Sequence, residues 1–133
     1  MAVNYRIIDG DAHLMDSAEA TYKNYLPEPY RSRTGPFFPS FGWDIWIGGT
    51  LGKPNTDPET YCRDLDQEGI DLAVAYPSAA LSIGLVREFD LAAALARAYN
   101  DWARDFGAAA RKRVKFAAVI APQVIPESVK EIR

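Results

Sequence analysis

Apolar positions along the chain recur with two periods, and these lay out its elements. Tyr5 to Asp9, centred on Arg6-Ile7-Ile8, reads as a first, buried strand. Ser17 to Tyr25 predicts a short helix capped by Asp16 or Ser17 and broken by Pro27 and Pro29. From Pro27 to Thr56 the pattern loses its period; Pro, Gly and aromatics crowd the segment, which predicts a long loop. Asp57-Pro58-Glu59 is a helix start, with a capping carboxylate, proline at the first position and an acid in the first turn. Tyr61, Leu65 and Glu68 lie along one stripe of that helix, and Gly69 ends it. Ile70 to Tyr76 is nearly all apolar, as a strand buried on both faces is, and Pro77-Ser78 closes it. Asp90 to Phe106 predicts the longest helix: Leu91, Leu95, Ala98, Tyr99 and Trp102 recur at helical spacing, with Gly107 as the stop. Asn100 and Asp101 fall on its other side, as solvated or capping groups. Val114 to Ala121 reads as a third strand, and Ile125-Pro126-Glu127-Ser128 opens a last helix with Val129 and Ile132 on its stripe.

The order is strand, helix, strand, helix, strand, helix, which is a parallel βα repeat and an α/β fold. Parallel strands of this kind need their edges covered. A barrel of eight βα units takes roughly 250 residues. The expectation is therefore that residues 1–133 form the N-terminal portion of a larger (β/α)8 barrel, with about three strands and a long first βα loop over 27–56.

The candidate chemistry sits where the first apolar run stops, at Asp9-Gly10-Asp11-Ala12-His13. Strand alternation sends Asp9, Asp11 and His13 to one side. A carboxylate and an imidazole two residues apart on one side can hold a divalent cation, zinc first and manganese second. Asp9 reads as a support that orients His13 or ties down the strand end. Chemistry in α/β folds gathers at the C-terminal ends of strands. Ser78 and Ser82 also follow a strand, but a Ser–His pair would have to recruit His13, the only histidine. The loop aromatics Phe38, Phe41, Trp43 and Trp46 carry two readings of equal weight: a wall over a planar substrate, or packing against the rest of a barrel or a second subunit.

Several segments together resemble the amidohydrolase-related family, in the branch of aminocarboxymuconate-semialdehyde decarboxylase-like enzymes. Ile8-Asp9-Gly10-Asp11-Ala12-His13 is similar to its first-strand motif, in which an acid or His, one residue and a His give two metal ligands. Tyr25-Leu26-Pro27-Glu28-Pro29-Tyr30-Arg31 resembles the segment after that strand. Asp66 to Pro77 is similar to the passage into the second strand, and Ala98-Tyr99-Asn100-Asp101-Trp102 to the long helix before Phe116 to Pro122. The resemblance implies a (β/α)8 barrel with one divalent metal, Asp11 and His13 as ligands, and hydrolysis or non-oxidative decarboxylation of small carboxylated substrates. The family's further histidines and carboxylate come from later strands, and this sequence holds no second histidine.

Composition narrows the picture further. The chain is 48% hydrophobic and 25% charged, which is globular and not disordered. Its net charge is −3 and its one basic run is Arg111-Lys112-Arg113, read as a solvated helix end, so a nucleic-acid partner is not expected. No apolar run approaches the roughly 20 residues of a bilayer span. Cys62 stands alone, as an inert helix residue, which excludes a disulfide framework and fits a cytoplasmic setting. The expected partners are a small carboxylate substrate and further copies of the chain. The competing expectation is a non-catalytic module that oligomerises through strand edges and loop aromatics; copies that assemble could also build a composite site.

Overall fold

The computed structural model describes residues 5–16, 23–34, 37–38 and 57–133. Its elements are β1 (Ile8–Leu14), α1 (Pro58–Glu68), β2 (Leu72–Pro77), a 3-10 helix (Ala79–Leu85), α2 (Phe89–Ala109), β3 (Val114–Phe116) and α3 (Ile125–Ile132). The three strands form one parallel sheet in the order β1-β2-β3. The fold is thus α/β with the expected βα alternation, displayed as an open three-stranded sheet.

Local chemistry explains the helices. The Asp57 carboxylate accepts from the backbone N–H groups of Glu59 and Thr60, and Pro58 opens α1. Gly69, at φ 69°, ends it in the left-handed conformation that glycine adopts without strain. α2 is rich in buried alanine, which shares one core with Ala73 and Ala75 of β2. Gly107 is not a stop. It lies inside α2, where an added Cβ would sit 3.1 Å from the Val114 carbonyl oxygen. The helix runs on to Ala109, and the turn into β3 is made by Arg111 and Lys112 at positive φ.

Other boundaries differ from the pattern. β1 begins at Ile8, later than expected, and Ile7 and Ile8 are exposed. β3 covers only Val114–Phe116 rather than running to Ala121. Beyond it the backbone pairs with a side chain instead: Asn100 accepts from Val119 N–H and donates to Val119 O, both at 2.8 Å. Asn100 is buried, not solvated. Within the predicted helix 17–25, residues 17–22 lie outside the described residues, and 23–25 form a turn. Asp16 caps the 3-10 helix instead.

One sheet face is packed. Ala12, Leu14, Ala73, Ala75 and Val114 meet Leu91, Leu95, Tyr99 and Phe106 in the core. The other face carries Ile8, Asp11, His13, Tyr76 and Lys115, all exposed, with Leu72 and Val74 half-buried. β2 is therefore covered on one side only among the described residues, against the expectation of burial on both.

The N-terminal end of the sheet is stapled. Arg113 pairs with Asp66 and donates to the carbonyls of Ile70 and Asp71, and Asp71 accepts from Ile7 N–H at 2.7 Å. Arg113 thus leaves the expected solvated run and ties two strands together.

Candidate metal centre

A bulge sets the geometry of the site. Asp9 pairs with Ala73 and Ala12 with Ala75, so three steps along β1 match two along β2. The extra residue reverses the alternation at that point. Asp9 turns to the packed side with Ala73, where its charge, after burial, helps push the Tyr61 phenol up to about 12. Asp11 and His13 flank buried Ala12 and turn to the open side. The expectation that all three share one side is corrected: two of them do. Asp9 accepts the Asp11 N–H at 3.0 Å, which closes the bulge from the other side.

His13 sits where β1 and β2 end, paired across the strands with Tyr76. Its Nδ1 lies 3.0 Å from the Pro77 carbonyl oxygen. A carbonyl only accepts, so Nδ1 carries the proton in this contact and the neutral ring keeps its lone pair on Nε2. That is the arrangement by which a backbone carbonyl orients a metal-ligating histidine. Asp9 makes no part of this contact. The Tyr76 ring stands 6.3 Å from the imidazole, centroid to centroid.

Ser78 Oγ lies 3.4 Å from the same Nδ1. With that nitrogen protonated toward Pro77, it is not a base for the hydroxyl, which donates to Met15 Sδ at 3.6 Å. The structure thus brings Ser78 and His13 together without the polarity that an activated nucleophile needs. Ser82 Oγ donates to Ala79 O and is absorbed in its own turn.

Asp16 takes a role the sequence hid. Its carboxylate accepts from Ser78 N–H and Ala79 N–H, both at 2.7 Å, and from Ala80 N–H at 2.9 Å. It fastens the segment after β2 to the end of β1, which holds Pro77 against His13. Burial, and then the Asp16 charge, raise the pKa of the Tyr99 phenol, whose buried hydroxyl has no hydrogen-bond partner among the described residues.

Phe41, Trp43 and Trp46 of the expected substrate loop lie outside the described residues; Phe38 is described and is buried. Cys62 is buried, with its thiol directed at Ala110 O. Among the described residues no three His, Cys, Asp or Glu side chains converge as a metal group. Asp11 and His13 present a carboxylate and an imidazole, two donor types that divalent cations take, on one exposed face of β1. A groove of about 390 Å³ on the helix side is lined by Tyr30, Asp90, Arg97 and Glu127 among others, but its Arg97 and Glu127 pair with each other at 2.9 Å. Sequence reading passed over Tyr76 and Lys115; the alternation of Val114-Lys115-Phe116 was the available signal for the latter.

Compared with family models and with curated proteins, the sequence matches none of them. Among the described residues no helix is long and apolar enough to cross a membrane.

Proposed function

We propose that Asp11 and His13 form the first-strand part of a divalent-metal site in a hydrolase or non-oxidative decarboxylase. The substrate is a small carboxylated aromatic or ring-opened molecule. One observation carries the reading: Nδ1–H of His13 is given to Pro77 O, which leaves Nε2 as a ligand on the face that also presents Asp11. The parallel βα order supports a place for this pair at the C-terminal mouth of an amidohydrolase-like (β/α)8 barrel, whose later strands supply the remaining ligands.

Zinc is the first candidate metal and manganese the second, since an imidazole with a carboxylate suits both. When bound, it supplies Lewis acidity toward a substrate oxygen or a water. The chain's own residues do the positioning. Pro77 fixes the His13 ring, Asp9 closes the bulge that presents Asp11, and Tyr76 offers a flat wall beside the imidazole. A cytoplasmic setting fits the free Cys62.

The test is zinc and manganese titration of the full chain by calorimetry, with His13→Ala and Asp11→Asn beside it. Measurable uptake that each substitution weakens at least about tenfold supports the reading. Uptake indifferent to both substitutions, or none, removes it. The second reading, an interaction module that assembles with further copies, is favoured by the exposed Ile8 on the open face and Ile125, Val129 and Ile132 on α3. It gains if the chain binds no metal.

A further inference from the structure

Among the described residues, the strands of the sheet hold one basic side chain. None of the residues of β1 or β2 is Lys or Arg, and Lys115 is the sole one in β3. Val114 is buried and Phe116 half-buried on the packed side, so Lys115 between them emerges on the face of Asp11 and His13. Its register is informative. Lys115 pairs with Val74, and Val74 lies level with the β1 bulge, between the pairs Asp9–Ala73 and Ala12–Ala75. Asp11 and Lys115 therefore flank Val74 in one row across three strands. At about 4.8 Å per strand, their backbones stand about 10 Å apart.

The geometry points to Lys115 as the receptor for a substrate carboxylate remote from the end that Asp11 and His13 would receive. The inference rests on the proposed function above and names the shape of its substrate: a planar molecule with anionic or oxygen groups at opposite ends. One end meets Asp11 and His13, the residues that would hold the metal. The flat body lies over Val74 with Tyr76 alongside. The far carboxylate meets the Lys115 ammonium, which enters none of the ion pairs seen among the described residues. A cation beside half-buried apolar neighbours gives a charge-assisted hydrogen bond more weight than one in open water.

The probes are terephthalate, with two opposed carboxylates, and benzoate, with one. Binding to the full chain is read by calorimetry and by amide shifts at Val74 and Lys115, with and without zinc. Terephthalate should bind about tenfold tighter than benzoate. Lys115→Met should erase that preference while zinc uptake stays unchanged, and Lys115→Arg should keep most of it. Equal affinity of the two probes for the wild-type chain, or an undiminished preference in Lys115→Met, overturns the proposal. In the latter case, increased self-association of Lys115→Met would assign the lysine to guarding a sheet edge. Loss of zinc uptake in the wild-type chain sinks the metal reading separately, since the zinc-free amide shifts still report on Lys115.

Discussion

The Asp16 carboxylate is 2% exposed and receives three backbone N–H groups from a segment more than sixty residues away. Each is a charge-assisted bond, and each donor would be left unpaired if the carboxylate went. Asp16→Ala should therefore cost on the order of 3–5 kcal/mol in urea unfolding, a large share of a small domain's stability. Asp16→Asn keeps one acceptor oxygen and should lose roughly half as much. Amide exchange at 78–80 should rise in both; a loss below about 1 kcal/mol for Asp16→Ala would contradict this role. The residue scale also shows what the sequence could reveal. The shared side of Asp11 and His13 was legible because alternation is local. Asp9 was not, because a bulge two residues on reversed its side. The partner of Asp16 was out of reach for any reading of neighbours along the chain.

The elements were legible where one period runs unbroken. α1 follows its caps, the body of α2 its apolar stripe, and β2 its apolar run. The failures came where a tertiary partner replaced a local signal. Val114 to Ala121 has strand composition throughout, yet Asn100 supplies the pairing at Val119 and the ladder stops at Phe116. Gly107 resembles a stop in the sequence, but it serves the close approach of α2 to β3. This gives a sign to an otherwise ambiguous substitution. In a free helix Gly107→Ala would gain about 1 kcal/mol. Here the new methyl meets the Val114 carbonyl, held in the sheet, and overpacking costs about 1–3 kcal/mol. The net expectation is a loss of about 1 kcal/mol in thermal or urea unfolding; a gain in stability would show that β3 yields at this point.

At the scale of the whole molecule, the two ends and two faces of the sheet divide the work. Arg113 and Asp71 fasten the N-terminal end, and the C-terminal end carries His13 and the loop held by Asp16. The sheet's open face offers the candidate site. α3 offers something different: Ile125, Val129 and Ile132 are 70, 43 and 71% exposed and follow helical spacing, with Lys130 and Glu127 paired beside them. A contiguous apolar stripe rimmed by charge marks a surface that is covered in use. In a purified solution the available cover is another copy of the chain. Sedimentation at micromolar concentration should therefore give a mass above the 14.8 kDa of one chain. Ile125→Glu with Ile132→Glu should return it to that mass without unfolding, since both side chains already face water. Association through α3 leaves Asp11, His13 and Lys115 accessible, so the double variant should bind zinc and terephthalate as the wild-type chain does. A variant that stays associated would move the contact to the open sheet face. Zinc binding that disappears with dissociation would instead mean that the metal is shared between copies, each contributing its single histidine.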